Sequence, residues 1–376
     1  MQPPSRRTFL ALGLLALTAL TACTGSHGGN DTTPGNRGPL PNPDEPVILR
    51  SIAATDTLLA GYDALLAGPG GAQAAVLQPL RAEVAQHRAA LAYGLPAASI
   101  PPASPATSSA GPGGTPSAPP SGTASGTASG TASGTASGAP VGTPAALAAL
   151  ERQTAQARLA DLAAARPPLA RLLASVAASD VLHAVALGDT APPVAPPPAA
   201  TTPTEAPTAP PSDQPTASPS AGPSADPAAA AAVTALQGAL GAEHAAVYGY
   251  GVVGARLPED QQRTDARTAY AAHEARRDAW QRLIGSLGAT PAAAAGGYQL
   301  PFAVTDAAGA TKLAAHLETR LTTVYADLVA AVPGPQRGTA ADALRDSALR
   351  AHRWGAADPA FPGIPEPLPT PTAATP

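Results

Sequence analysis

The chain has 376 residues, 44% of them apolar but only 3% aromatic, and 46 prolines. Its net charge of −4 is mild, and no basic stretch is interleaved with aromatics, so nothing points to a nucleic-acid surface. A single cysteine leaves no thiol pair for a disulfide, a redox motif or a Cys-based metal site.

The N-terminus reads as an export and anchoring signal. Ser5-Arg6-Arg7-Thr8-Phe9-Leu10 resembles a twin-arginine signal, with Arg6 and Arg7 as its pair. The apolar run from Phe9 to Ala22 is too short to span a bilayer and fits a signal-peptide core. Leu20-Thr21-Ala22-Cys23 resembles a bacterial lipobox, which makes Cys23 the lipid attachment site and 1–23 a signal peptide. These residues predict a protein held by lipid on the extracytoplasmic face of the cell membrane. Residues 24–45, rich in Gly, Asn and Pro, read as a flexible stalk.

Helical periodicity begins near Val47. Leu49, Ile52, Ala53, Leu58, Leu59, Leu65 and Leu66 recur at mixed three- and four-residue spacing, as one helix face would, and a second helix follows Gly68-Pro69-Gly70-Gly71 from Ala72 to Ala92. Residues 96–142 are low in complexity, with four copies of Ser-Gly-Thr-Ala, and cannot bury enough apolar area to offset chain entropy. Helical patterning resumes from Pro144 to Arg166, breaks at Pro167-Pro168 and continues to Leu187. These segments make an N-terminal helical bundle over 46–189. A Pro/Thr/Ser-rich linker covers 190–228. Four further helices are predicted over 229–256, 260–287, 306–332 and 337–355, giving a second bundle over 229–365 and a disordered tail over 366–376.

Both regions consist of a helical hairpin, a long connection and a second hairpin. That is the connection of the ferritin-like bundle, so the predicted fold is all-α, two ferritin-like four-helix bundles in tandem. Leu150-Glu151 before Asp161-Leu162 echoes Leu317-Glu318 before Asp327-Leu328, and Asp56 takes a place like that of Glu243. The halves read as a diverged duplication.

The C-terminal half carries a specific likeness. Ala242-Glu243-His244-Ala245-Ala246-Val247-Tyr248-Gly249-Tyr250, His273-Glu274-Ala275-Arg276-Arg277-Asp278, Tyr298-Gln299-Leu300-Pro301, Leu317-Glu318-Thr319-Arg320 and Phe361-Pro362-Gly363 resemble the DUF4439 family. The resemblance covers 229–365 and implies a ferritin-like domain of unassigned function, of the kind found in actinobacteria.

Ferritin-like dimetal sites take a Glu from two helices and Glu-x-x-His from the other two. Residues equidistant from a hairpin turn lie at one level of a bundle. Glu243 and His273 flank Pro258 in this way, and Glu318 and His352 flank Pro335. These four are the candidate ligands, for iron or manganese. The pattern is incomplete, because Tyr270 and Leu349 stand three before the histidines. In the N-terminal half, Asp56, Glu83, His87, Glu151, Asp180 and His183 supply similar side chains, with Asp180-x-x-His183 at the spacing of one helix face. The competing reading is structural: Glu243 pairs with Arg277 or His273 and needs no metal. No Ser-His-Asp set or phosphate loop is present. The expectation is therefore a non-enzymatic envelope module that binds a small ligand or an envelope partner and carries no cofactor. A metal-binding protein or metal-dependent oxidase is the alternative.

Overall fold

The computed structural model describes residues 42–68, 71–102, 142–190, 226–258 and 260–364. The signal peptide, Cys23, the tail and most of the stalk, insert and linker lie outside them; the last residues assigned to the stalk instead lead into the first helix, Asp44 preceding and Glu45 opening it. Among the described residues there are eight α-helices and no strand. The first four are α1 (Glu45–Leu66), α2 (Gly71–Ala92), α3 (Pro144–Asp161) and α4 (Pro167–Ala186). The second four are α5 (Pro227–Arg256), α6 (Gln261–Ser286), α7 (Ala307–Ala331) and α8 (Gly334–Arg353).

Their ends follow local chemistry. Pro fills the first turn of α1, α3, α4, α5 and α8, where no amide partner is lost. Thr143, Asp226, Asp260 and Asp306 cap α3, α5, α6 and α7 by accepting a hydrogen bond from a first-turn amide. Each half is built from hairpins: α1 packs on α2 and α3 on α4, then α5 on α6 and α7 on α8. The first helix of each half also packs on the third, α1 on α3 and α5 on α7, as the long-crossover topology requires.

The two halves are fused. α4 packs against both α7 and α8, and one continuous core runs from Ile52 and Leu173 to Leu236, Trp280 and Leu344. α4 has a mean hydropathy of 1.4 and the length of a membrane span, yet 78% of its apolar window is buried inside the fold. It is a shared core helix, largely apolar because it is largely covered, and its buried Asp180 and His183 are the polar exceptions.

Two further features tie the halves. Arg337 of α8 donates to the carbonyl oxygens of Leu162, at 2.9 Å, and Ala165, and so caps the end of α3. Beside it Gly334 passes so close to Ala163 that a Cβ would stand 2.6 Å from the carbonyl oxygen. After α8 the chain crosses back over the N-terminal half: Ser175 donates to the Pro362 carbonyl at 2.8 Å, and the Phe361 ring meets the His87 ring edge-on at 5.2 Å.

Candidate functional site

The C-terminal cage is built around His273, fully buried on α6. Its Nδ1–H donates to Glu243 Oε2 on α5 at 2.7 Å, and its Nε2–H donates to Glu318 Oε1 on α7 at 3.0 Å. The hydroxyl of Tyr325, one α7 heptad beyond Glu318, donates to Glu243 Oε1. Tyr250 donates to Glu318 Oε1 at 2.6 Å, and Trp354 Nε1–H donates to the Tyr250 oxygen at 2.9 Å. Arg350 of α8 completes the set, its Nε–H 2.8 Å from Glu318 Oε1. Glu243, His273 and Glu318 have no exposed side-chain surface.

Three of the four C-terminal candidates therefore meet, and His352 does not. It sits at the rim, its Nδ1 2.8 Å from Asp358. The reason is the turn. Pro335 lies inside the first turn of α8, so the level of Glu318 is mirrored at Arg350, two residues before His352. Two residues on a helix swing a side chain to the opposite face. Arg277 does not reach Glu243; it pairs with Asp278 at 2.8 Å and Glu274 at 3.5 Å. His244 is covered by the α6–α7 connection, its Nε2–H donating to the Ala292 carbonyl at 3.3 Å.

The N-terminal cage is a variant of the same plan. Tyr62 donates to Glu151 Oε1 at 2.7 Å, and His183 bridges Glu151, at 3.2 Å, and Glu83, at 3.1 Å, through its two ring nitrogens. Arg158 pairs with Asp180 and donates to Thr55 Oγ1 at 2.7 Å. His87 stacks on His183 with ring centroids 5.7 Å apart and reaches the Ala360 carbonyl at 2.7 Å. Asp56 is not in this cage. It lies on the outer face of α1, paired with Arg88 at 2.5 Å.

The geometry aligns the halves residue by residue. Tyr62 and Tyr250 follow Thr55 and Glu243 by seven residues, and Arg158 and Tyr325 follow Glu151 and Glu318 by seven. His183 and Arg350 both come thirty-two residues after their glutamate, and both contact it. The counterpart of Glu243 is thus Thr55, one residue before Asp56. On the fourth helix, Asp180-x-x-His183 matches Ser347-x-x-Arg350. Sequence reading missed Arg350 and Arg158 as cage members. The equal spacing from Glu151 to His183 and from Glu318 to Arg350 was the available signal.

The cage charges decide whether a metal fits. Burial opposes the charge on His273, but its bonds to Glu243 and Glu318 outweigh this and raise its pKa. Burial pushes the Glu318 carboxyl up, but Arg350 and His273 overcome it and hold the group below the usual range. Two carboxylates thus face an imidazolium and a guanidinium, and the cage is neutral without a metal. Both His273 nitrogens are spent on carboxylates, and Arg350, which cannot deprotonate, stands where the second histidine ligand belongs. A metal does not fit this donor set. Among the described residues, no group of three or more His, Asp or Glu side chains is arranged to hold one.

In the N-terminal cage burial likewise opposes the charge on His183, but Glu151 and Glu83 raise its pKa to about 10. A folded value above the ordinary 6.5 means its stabilisation is complete below pH 6.5 and lost as pH climbs through about 10. His273 shifts the same way. The expected result is a thermal midpoint that falls steadily between about pH 6.5 and 10. A midpoint flat across that window in a buffer series would contradict protonated cage histidines.

Comparison with known proteins places the C-terminal half. Residues 235–366 match the family model of DUF4439, a domain of unknown function, and this part of the chain belongs to that family. A crystal structure of a conserved hypothetical protein, rv2844, from Mycobacterium tuberculosis is 38% identical, covering 33% of this chain and 95% of that one, with a TM-score of 0.32. No curated protein matches.

Proposed function

We propose that this chain, whose C-terminal half is a DUF4439 domain, is a lipid-anchored cell-envelope protein. Its fused bundles serve as a non-catalytic binding module. The observation that carries the non-catalytic part is the neutral C-terminal cage, in which Arg350 and His273 supply the positive charge that a metal centre would bring. Such a cage positions helices and leaves surfaces and clefts as the working parts. The envelope part rests on Arg6, Arg7 and the lipobox ending at Cys23. Two lipid chains hold a protein on a membrane stably. Cys23→Ala is therefore expected to move the protein from the membrane fraction to the soluble fraction or the unprocessed precursor. An unchanged mature form in the membrane fraction would sink the anchor.

One observation favours a second reading, a metal-binding protein. The N-terminal cage keeps Asp180-x-x-His183 and Glu151, and His87 Nδ1, Glu151 Oε2 and Asp180 Oδ1 are buried without a hydrogen-bond partner among the described residues. Against it, Arg158 holds Asp180 and both His183 nitrogens are engaged. Metal analysis of the purified full chain separates the readings. We expect no stoichiometric iron, manganese or zinc, and no change in metal content on Glu151→Gln. One bound ion per chain, lost on that substitution, would promote the second reading.

A further inference from the structure

α6 and α8 pack on α5 and α7 but scarcely on each other, and a cleft of about 200 Å³ opens between them. The helices run antiparallel across it, with Asp265 opposite Arg353 and Trp354 at one end and Ala272 opposite Asp346 and Leu349 at the other. The second end is closed by the Arg276–Asp346 hydrogen bond, 2.8 Å. Arg350 forms the floor.

Arg350 is the informative group. Its Nε–H is committed to Glu318, but its two terminal nitrogens make no hydrogen bond among the described residues. Its side chain keeps 17% exposure while Glu318 beneath keeps none. The exposed part faces the cleft, since Arg350 lines it. Glu318 is thus a rigid backing that fixes the guanidinium plane and leaves its outward edge free. That edge is the fork that binds a carboxylate through two parallel hydrogen bonds. The acidic group beside it is already answered: Asp346 accepts from Arg276 and Arg345. Arg353 adds an exposed positive charge one turn along α8. Ala269, Leu349 and Trp354 give the walls an apolar character suited to a short carbon chain. Drug-sized ligands occupy sites of roughly 300 Å³ and more, so this cleft suits a smaller one.

We propose that the α6–α8 cleft is a binding site for a small carboxylate, held by the outward edge of the Arg350 guanidinium with its carbon chain against Leu349 and Trp354. The proposal rests on the binding-module reading above and gives it a ligand class. A short aliphatic acid and an α-amino acid share the recognised group. They differ in the amine, for which Asp265, a lining residue that accepts only one hydrogen bond from the neutral Gln261, is the acceptor at hand.

The test is isothermal titration of the full chain carrying Cys23→Ala, in chloride buffer, with sodium propionate, alanine and ethylammonium chloride. Expected is one-site binding of propionate or alanine with a dissociation constant at or below about 1 mM, and none of ethylammonium. Propionate binding alone assigns free aliphatic acids; tighter alanine binding assigns amino acids. Arg350→Lys keeps the charge but loses the fork and should weaken binding at least tenfold. Because Arg350 also supports the cage, Thr268→Phe, at an exposed rim position, is the second variant. It should weaken binding as much while the unfolding midpoint stays put. Absence of binding by both acids, equal binding of ethylammonium, or binding unaffected by Thr268→Phe would overturn the site. Titration in solution is blind to localisation. Failure here with Cys23-dependent membrane fractionation intact removes the cleft and leaves the envelope module. Failure of fractionation with the titration intact does the reverse.

Discussion

Glu318→Ala is expected to destabilise the protein by about 3–5 kcal/mol, the loss typical of breaking a buried ion pair on one side. Glu318 Oε1 accepts from His273, Tyr250 and Arg350 at once. Removing it leaves three buried donors without their acceptor and unbalances the cage by one positive charge. His273 would then hold its proton less well, because burial, which works against that charge, meets one opposing carboxylate instead of two. Replacing both partners is different. Glu318→Leu combined with Arg350→Leu removes the charges together, and the double variant should recover part of the loss, since His273 and Tyr250 still lack their acceptor. Denaturant midpoints for the two single variants and the double give the coupling directly. A single-variant loss under about 1 kcal/mol would mean that the cage carries little of the stability, as for an exposed ion pair.

Much of the fold is legible in the chain because its punctuation is strong. Pro144, Pro167, Pro227 and Pro335 each mark a helical first turn, and each helix begins within three residues of where the sequence places it. The meeting of Glu243 with His273 is legible for a related reason: Pro258 does lie midway between them. The second hairpin defeats the same argument by two residues, because α8 starts at Gly334 and takes Pro335 into its first turn. In α1 the error is one residue, and it exchanges the buried Thr55 for the outward Asp56. Side-chain direction on a helix turns about 100° per residue, so a small error in register is a large error in chemistry.

The fusion of the halves is not legible at all. The buried residues of α4 mix Ala170, Ala174 and Ala178 with Leu169, Leu173 and Leu182, an ordinary core composition that names no partner, and the Arg171–Asp327 pair at 2.8 Å follows no spacing rule. The return of Phe361 and Pro362 onto His87 and Ser175 joins positions almost two hundred residues or more apart, with no pattern in the sequence to announce it.

Arg158→Met should cost a similar 3–5 kcal/mol at neutral pH, and its cost should depend on pH in a diagnostic way. Arg158 and Asp180 are both buried, and the guanidinium also reaches Ser51 and Thr55. Burial already pushes the Asp180 carboxyl up to about 7, against the pull of Arg158. Taking Arg158 away removes that pull and drives it higher. A carboxyl whose folded value lies above its unfolded 3.8 favours folding when protonated, so its contribution falls as pH rises from 3.8 through the folded value. In the variant Asp180 is neutral at pH 5 and is forced towards charge at pH 8. The loss measured by urea unfolding should therefore be clearly smaller at pH 5 than at pH 8. Adding Asp180→Asn, which cannot ionise, should remove the difference. Asp56→Ala, by contrast, breaks a partly buried pair outside the cage and should cost less than Arg158→Met. Equal losses for Arg158→Met at the two pH values would show that Asp180 does not carry the buried charge. The correspondence between Arg158 and Tyr325 would then describe packing alone.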